Sequence, residues 1–342
     1  TTTAFLDSAE LTSQLLVAFP ATESKKLRTR LRTVAVRVVR IHTVEEEMRY
    51  DTPYFAVEAG RPVQVVLINE DLMPHNLVIT APDSIREVAE LAGQLGPTDG
   101  VKGKQYVPKT NLVLQATSMV PGRASEALTF TAPTEPGEYP FVCTFPRHWQ
   151  RMNGVMVVVK DLDAWQKNPT PPKDPIGSNR SFVKKWTIDD FSAELEEDFK
   201  GASEAVGAKL FNEGTCAQCH KLDGEGGAVG PDLAEVFKRQ KNDRVAVLRE
   251  ILDPSYKIDP KYEVHLIQTF DGLTISGIIT SQDQNQITII ANPENPKPTT
   301  ILRDDIEAMK KTASSLMPKA LLDNFQKDEI LELLNYIQSK QK

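Results

Sequence analysis

Residues 143–152 read Cys143-Thr-Phe-Pro-Arg-His148-Trp-Gln-Arg-Met152 and place a thiolate, an imidazole and a thioether on one segment directly after a predicted β-strand. A second imidazole, His75, follows another predicted strand far upstream. Two imidazoles and a thiolate with a weak axial thioether make a mononuclear blue copper site, because soft sulfur favours Cu(I) and imidazole suits Cu(II). Each residue alone is more often a core or strand-end residue. Together, at this spacing, they predict a type 1 copper site on a β scaffold.

The sequence around this segment is typical of short β-strands. Apolar residues alternate along each stretch, and turns such as Pro121-Gly122 and Pro136-Gly137 separate the stretches. The predicted strands begin at residue 34 and continue at residues 55–57, 63–69, 77–80, 112–116, 128–131, 139–143 and 155–160. So many short strands predict an all-β Greek-key sandwich over residues 34–160, with a barrel as the alternative.

This region resembles a cupredoxin of the azurin, plastocyanin and auracyanin group. The resemblance rests on Pro74-His75-Asn76 and Cys143-Thr-Phe-Pro with His148 and Met152. It implies His75, Cys143 and His148 as equatorial copper ligands and Met152 as the axial ligand. It also implies that Asn76 joins the two ligand loops by hydrogen bonds. Many azurin-like chains have Gly before the second His, where this chain has Arg147, so the surface beside that ligand is altered.

A second redox motif lies in the C-terminal half, at Cys216-Ala-Gln-Cys219-His220. This CxxCH spacing predicts covalent attachment of a c-type heme through both thiols, with the adjacent imidazole as an axial iron ligand. A CxxC pair can instead bind zinc, but zinc needs two further ligands. No other cysteine or nearby histidine is available in this half of the chain.

The surrounding segments resemble cytochrome c. Residues 207–211 resemble its N-terminal helix, and Gly230-Pro231-Asp232-Leu233 resembles the loop whose proline carbonyl holds the heme-ligating histidine. The resemblance implies that the Pro231 carbonyl accepts a hydrogen bond from the His220 ring, which fixes the orientation of that ligand.

The sixth iron ligand has to come from farther along the chain. Met317 is favoured, because Ser315-Leu-Met317-Pro318 is predicted as a loop just before the C-terminal helix. Met309 is the alternative, within residues 304–311, which are predicted as a short polar helix. His265 lies in a predicted strand with alternating polar and apolar residues. It is interpreted as a histidine that is exposed or whose ring is hydrogen-bonded.

The chain is therefore predicted to be multidomain. We expect a helical lead-in at residues 1–33, a cupredoxin domain at 34–160, a Pro-rich linker at 161–180, and a mainly α monoheme cytochrome c domain at 181–342 with a β insertion at about 263–303. Residues 181–342 also resemble a heme-binding domain common in planctomycete-type bacteria, through Trp186-Thr-Ile-Asp-Asp, Leu252-Asp-Pro-Ser-Tyr, Asp271-Gly-Leu-Thr-Ile-Ser-Gly and Ser315-Leu-Met-Pro.

Charge and composition exclude several classes of protein. The net charge is -7, with 17 basic and 17 acidic residues in positions 1–160 and 23 and 30 in positions 161–342, so no basic excess supports nucleic-acid binding. No apolar stretch has the length of a transmembrane helix. Three cysteines argue against a disulfide scaffold. Because heme attachment through CxxCH occurs outside the cytoplasm, we expect a periplasmic or otherwise extracytoplasmic protein.

These features predict an electron-transfer protein and not an enzyme. Single electrons would pass between the type 1 copper and the heme c, and on to other redox proteins, since neither site leaves an open position for a substrate. One alternative is the electron-exit module of a larger exported dehydrogenase. Another is a copper-binding or redox-sensing module.

The surface near the second copper histidine suggests how the domains meet. Arg147 and Arg151 are predicted to form a basic rim that faces the acidic cytochrome half, with solvated surface residues as the alternative. Trp149 is interpreted as an aromatic residue packed at a domain contact, with an electron relay as the alternative. The linker is expected to keep the domains close without fixing a single pose.

Overall fold

The structure is a computed structural model that describes residues 20, 22–24, 36–177, 180–191, 194–196, 203–292 and 297–341. The predicted helical lead-in at residues 1–33 lies outside the described residues, except for residues 20 and 22–24. No helix in the described ranges is long and apolar enough to cross a membrane.

The N-terminal half forms two facing β-sheets. Its strands are β1 (Arg37–Val44), β2 (Arg49–Tyr50), β3 (Tyr54–Glu58), β4 (Pro62–Ile68), β5 (Val78–Thr80), β6 (Val113–Ala116), β7 (Ser125–Thr131), β8 (Gly137–Val142) and β9 (Asn153–Val159). One sheet has the order β2-β1-β4-β7 and the other β3-β9-β8-β5-β6. The β1–β4 and β3–β9 pairs are parallel, and the other pairs are antiparallel. The predicted β-sandwich is confirmed.

Alternating side chains of both sheets fill one core. Val63, Val65 and Leu67 of β4 are buried and belong to the same hydrophobic cluster as Phe141 of β8 and Met156 of β9. Burial of each such side chain stabilises the fold by roughly 1.5–3 kcal/mol. The cluster also contains the side chains of Cys143 and Met152, so the segment between β8 and β9 is anchored in the core at both ends.

Short helices lie beside the sandwich and directly after its last strand. The helix Ile85–Gly93 lies between β5 and β6, and Ile85 and Val88 pack against Val142. A 3-10 turn follows at Val101–Gly103. The predicted linker at residues 161–180 begins with the helix Leu162–Lys167, because the Asp161 side chain accepts a hydrogen bond from the first turn. Residues 168–174 beyond it contain no helix or strand.

The C-terminal half is built from helices around a second core. Its α-helices are Glu204–Glu213, Cys216–Cys219, Val236–Arg239, Arg244–Leu252 and Lys327–Ser339, and its 3-10 turns are Ile188–Phe191, Glu194–Glu196, Leu233–Glu235, Pro260–Tyr262 and Arg303–Asp305. The first and last α-helices cross closely at Gly207, where a Cβ atom would lie 2.3 Å from the Tyr336 Cβ. Only glycine permits this approach. The two-stranded ladder of β10 (Lys221–Leu222) and β11 (Glu225–Gly226) follows the CxxCH segment.

The predicted β insertion is a five-stranded antiparallel sheet. Its strands are β12 (Val264–Thr269), β13 (Thr274–Gln282), β14 (Gln286–Ile290), β15 (Thr299–Leu302) and β16 (Ile306–Lys311), in the order β15-β14-β13-β12-β16. The helix predicted at residues 304–311 is wrong, since β16 pairs with β12 along its length. Pairing with a distant strand overrides the local sequence preference there. The insertion therefore extends to Lys311.

The insertion packs directly against the sandwich. Val264 belongs to the sandwich core, and Leu266 and Leu316 pack against that core. Gln105 donates to the Thr274 carbonyl at 3.0 Å, and Asn292 donates to the carbonyls of Gly93 and Leu95 at 2.8 and 2.9 Å. The two halves thus share a packed, hydrogen-bonded interface. This differs from the expected loose tether, because an apolar face of β12 is available to bury.

Candidate copper and heme sites

Three of the predicted copper ligands come together in the sandwich. The Cys143 Sγ lies 3.9 Å from the His75 Nδ1 and 3.6 Å from the His148 Nδ1, and the two Nδ1 atoms are 3.2 Å apart. All three side chains are buried. Donors placed in a trigonal plane about 2.0–2.3 Å from one centre are about 3.5–3.7 Å apart. The spacing and the chemistry of these donors therefore fit a copper ion bound by two imidazoles and a thiolate.

The predicted fourth ligand is held in the same segment by backbone hydrogen bonds. The Met152 amide donates to the His148 carbonyl at 2.8 Å, and the Cys143 amide donates to the Met152 carbonyl at 2.9 Å. The Met152 side chain is fully buried in the cluster that contains Cys143. These bonds close the segment into a compact loop, referred to below as the ligand loop (residues 143–152).

Asn76 joins His75 to the ligand loop. Its side-chain amide donates to the Thr144 hydroxyl at 2.8 Å, and its side-chain oxygen accepts from the Thr144 amide at 2.9 Å. The Tyr50 hydroxyl donates to the Asn76 carbonyl at 2.6 Å. His75 itself is held by a two-way backbone bridge to Val120. The ligands from two distant parts of the chain are thus fixed relative to each other before any metal binds.

Sequence reasoning missed one buried acid beside this site. Asp71 lies four residues before His75, and its Oδ2 is 3.2 Å from the His75 Nε2, with both side chains almost fully buried. The sequence shows an acidic residue four positions before a predicted copper ligand. It does not show which way the side chain of that residue points.

The two imidazoles have different protonation preferences in the absence of metal. Burial disfavours a charge on His75, but hydrogen bonds to Asp71 and Cys143 outweigh it and raise the pKa of His75 to about 9. Burial, followed by the charge on the neighbouring His75, holds the pKa of His148 well below its usual value. His148 is therefore a neutral imidazole at physiological pH, as a metal ligand must be.

The CxxCH motif forms a single helical turn, Cys216–Cys219, that ends at His220. The His220 Nδ1 lies 2.8 Å from the Pro231 carbonyl, the partner that the sequence implied, which leaves the Nε2 for an iron ion. Burial, more than any other cause, lowers the pKa of His220 and keeps the ring neutral. A Cβ atom at Gly230 would lie 2.5 Å from the His220 Cε1, so glycine is required beside the ring.

The rest of the motif also fits an attached heme. Cys216 and Cys219 form no disulfide, and both are partly buried. A Cβ atom at Gly227 would lie 1.9 Å from the Gln218 carbonyl oxygen, so the backbone at Gly227 forms a close cradle behind the motif. Burial raises the pKa of the Cys216 thiol to about 12, which does not favour a thiolate redox pair.

The candidates for the sixth iron ligand are in different environments. Met317 is half-buried in the loop before the last helix, and its amide donates to the Ser315 hydroxyl at 3.1 Å. Met309 is 42% exposed on β16, opposite Ile267 of β12. His265 is half-buried in β12, and its Nδ1 has no hydrogen-bond partner among the described residues. Met309 therefore lies on an edge strand of the insertion sheet and not on the predicted short helix.

Comparison with known families agrees with both sites. The family of copper binding proteins, plastocyanin/azurin family, matches residues 37–159, and the cytochrome c family matches residues 204–289. The chain contains a plastocyanin/azurin-type copper domain and a cytochrome c domain. The cofactors of these domains are copper and heme c, and such domains are typical electron carriers. The cytochrome c match ends before Met317, so it does not include that residue.

Individual relatives resemble the copper domain. Auracyanin-A of Chloroflexus aurantiacus is 28% identical over 125 residues, which span 35% of this chain and 73% of auracyanin-A. The crystal structure of reduced auracyanin from Roseiflexus castenholzii shows 35% identity over 36% of this chain and 96% of that protein, with a TM-score of 0.33. The structure of auracyanin A, a "blue" copper protein, shows 25% identity over 36% of this chain and all of that protein, with a TM-score of 0.34.

The ligand loop of the copper domain contacts the cytochrome c domain directly. The Arg147 Nη1 donates to the Gln218 carbonyl, inside the heme-attachment motif, and the Arg151 Nη2 donates to the Ala320 carbonyl at 3.0 Å. Arg147 has a φ of 67°, in the left-handed region that favours glycine. The predicted basic rim thus meets the cytochrome c domain through hydrogen bonds to backbone carbonyls, and the Arg151 charge also interacts with the Asp323 carboxylate of that half.

Trp149 lies within the copper domain and not at the predicted domain contact. Its ring is partly buried in the cluster of the copper domain that contains Ile85 and Val88, and the Arg86 guanidinium lies 5.5 Å from the ring centroid. The Asn153 side chain donates to the Trp149 carbonyl at 2.9 Å. Trp149 therefore stabilises the ligand loop from within the copper domain.

Proposed function

We propose that the chain carries single electrons between a type 1 copper and a heme c, and on to external redox proteins. His75, Cys143, His148 and Met152 would hold the copper. Cys216 and Cys219 would attach the heme, and His220 and Met317 would bind its iron. The contact between Arg147 and Gln218 carries the proposal, because it joins the copper ligand loop to the heme-attachment motif.

The copper site is suited to electron transfer because its ligands are fixed by the fold. Bound copper would supply the one-electron Cu(II)/Cu(I) couple. The core holds Cys143 and Met152, and Asn76 holds the two ligand-bearing segments together. A scaffold that keeps the same ligand positions in both oxidation states lowers the rearrangement needed for each transfer.

The fold also fixes the proposed heme-binding residues. The Pro231 carbonyl orients the His220 ring, and the backbone at Gly230 lies close against that ring. With these ligands neither site would leave an open coordination position for a substrate, and on that basis the proposal is a carrier and not an enzyme. An electron-exit module of a larger exported dehydrogenase uses the same two sites and differs only in its donor.

The proposal includes the domain boundaries and the cellular location of the protein. We place the copper domain at residues 34–160 and the cytochrome c domain at residues 181–342, with the intervening segment passing between them. The attachment motif supports a periplasmic or otherwise extracytoplasmic location. The stretches beginning at Trp186, Leu252, Asp271 and Ser315 support a planctomycete-type heme-binding domain.

Flash reduction of the oxidised holoprotein tests the proposal. One electron is delivered by a photoreductant, and the blue copper band and the heme band are followed in the same sample. We expect one band to lose its electron to the other in a first-order step whose rate does not depend on protein concentration. The Cys143→Ser chain, which should lack the blue copper band, is the control and should lack this step. A rate that rises with protein concentration would contradict transfer within one chain.

A further inference from the structure

Asp71 is buried beside a copper ligand and has no part in the predicted ligand set. Asp71 is 2% exposed and His75 is 1% exposed. The two nitrogens of His75 face opposite partners: Nε2 lies 3.2 Å from the Asp71 Oδ2, while Nδ1 lies with Cys143 and His148. An imidazole whose Nε2–H donates to a carboxylate presents its Nδ1 lone pair to a metal.

The Asp71 carboxylate is itself held in place by backbone donors. The Leu72 amide donates to its Oδ1 at 2.6 Å, and the Glu46 amide donates to its Oδ2 at 3.2 Å. A buried carboxylate is costly unless such donors surround it, and here they also fix its direction. The backbone amide of Asp71 donates to the Asn69 side chain at 3.0 Å, which anchors the whole turn before the ligand.

We propose that Asp71 is a positioning residue of the copper site that holds the ring of His75 and sets the copper potential. It fixes the tautomer and angle of His75, and its negative charge stabilises Cu(II) relative to Cu(I). This inference rests on the proposed copper function and adds a residue that tunes it. Coulomb attraction within a buried site is screened much less than at the surface, so one carboxylate at this position matters.

The same residue connects the copper ligand to the other domain. Glu46, whose amide donates to Asp71, accepts hydrogen bonds through its carboxylate from the Ser255 hydroxyl and the Lys319 ammonium, both at 2.6 Å. Its carbonyl accepts from the Lys319 amide at 2.8 Å. The turn that orients His75 is thus continuous with the interface near Met317.

The test compares Asp71→Asn with Asp51→Asn in the full holoprotein. Asparagine keeps the shape of Asp71 and removes its charge, and Asp51 is an exposed aspartate of the same domain that serves as the matched control. We expect Asp71→Asn to raise the copper midpoint potential and to weaken Cu(II) binding about 10-fold to 100-fold in a chelator competition. The heme potential should stay unchanged, and Asp51→Asn should behave as the wild type.

Asp71→Glu separates charge from position. It keeps the negative charge but moves the carboxylate by one methylene, so we expect weaker copper binding with a potential closer to the wild type than that of Asp71→Asn. If Asp71→Asn does not fold, this variant carries the test. Copper affinity and potential that match the Asp51→Asn control in the folded Asp71 variants would overturn the inference. A wild-type chain that binds no blue copper would instead overturn the proposed function.

Discussion

Arg147 permits a prediction in which stability and electron transfer respond differently to two substitutions. Its φ of 67° costs a non-glycine residue about 1–2 kcal/mol. Its guanidinium donates to the Gln218 carbonyl, a charged hydrogen bond worth about 1.5–3 kcal/mol. Arg147→Ala removes the hydrogen bond and keeps the backbone strain, so we expect it to lower the free energy of unfolding by about 1.5–3 kcal/mol.

Arg147→Gly removes the same hydrogen bond and also relieves the strain. The relief of about 1–2 kcal/mol is partly offset by about 0.5–1 kcal/mol, because glycine gains more freedom in the unfolded chain. The Gly variant should therefore be more stable than the Ala variant by about 0–1.5 kcal/mol, with a central value of about 0.75 kcal/mol. Both variants should slow copper-to-heme transfer by the same factor, since both lose the contact with the heme-attachment motif.

Chemical denaturation measures the first effect and flash reduction measures the second. The copper spectrum is the internal control, because neither substitution removes a ligand. If Ala and Gly slow transfer by different factors in the order of their stabilities, then domain stability and not the contact governs the rate. If neither variant slows transfer, the Arg147 contact is not part of the route and the reasoning fails.

The remaining predictions concern single sites. Cys143→Ser should abolish the intense thiolate-to-Cu(II) band and leave the heme spectrum intact; a persistent blue band would contradict the copper assignment. Met317→Ala should remove the sulfur-to-iron near-infrared band and lower the heme potential, whereas Met309→Ala should do neither, and the reverse result would exchange their roles. Burial opposes ionisation of Glu46, but hydrogen bonds from Lys319 and Ser255 outweigh it and lower the pKa of Glu46 below 4.5. Ionised Glu46 therefore stabilises the fold above about pH 4.5, and this contribution is lost as the pH falls through the lowered value. Thermal unfolding should show a stability advantage of the wild type over Glu46→Gln near neutral pH that shrinks below pH 4.5, and a constant difference would refute the role of Glu46.

Local motifs made much of the two sites predictable from the sequence. The spacing of Cys143, His148 and Met152 limits the shape of one loop, so the chemistry of the segment is visible without a structure. The same holds for the CxxCH motif, where two thiols and an imidazole share one helical turn. The sandwich was predictable because its strands are short, alternate in polarity and end at Gly or Pro turns.

Features that depend on distant partners were not predictable. The strand β16 exists because β12 pairs with it, although its own sequence favours a polar helix. Docking relies on pairs such as Gln105 and Thr274, which lie far apart in the sequence. The role of Asp71 depends on the direction of one buried side chain. The helical turn after Asp161 is different, because it depends on a local signal: an Asp at the N-cap position favours a helix even though prolines follow it.

Under the proposed function, the contact at the ligand loop would place the two cofactors in series. Each proposed copper-ligand side chain is at most 1% exposed, and the flanking Arg147 and Arg151 are already engaged with the cytochrome c domain. A redox protein in solution cannot occupy that face at the same time. An external reductant that docks on the cytochrome c domain would therefore fill the heme first, and the copper would fill no faster than the internal step allows. The copper would then hold an electron that external redox partners could supply or remove only through the heme.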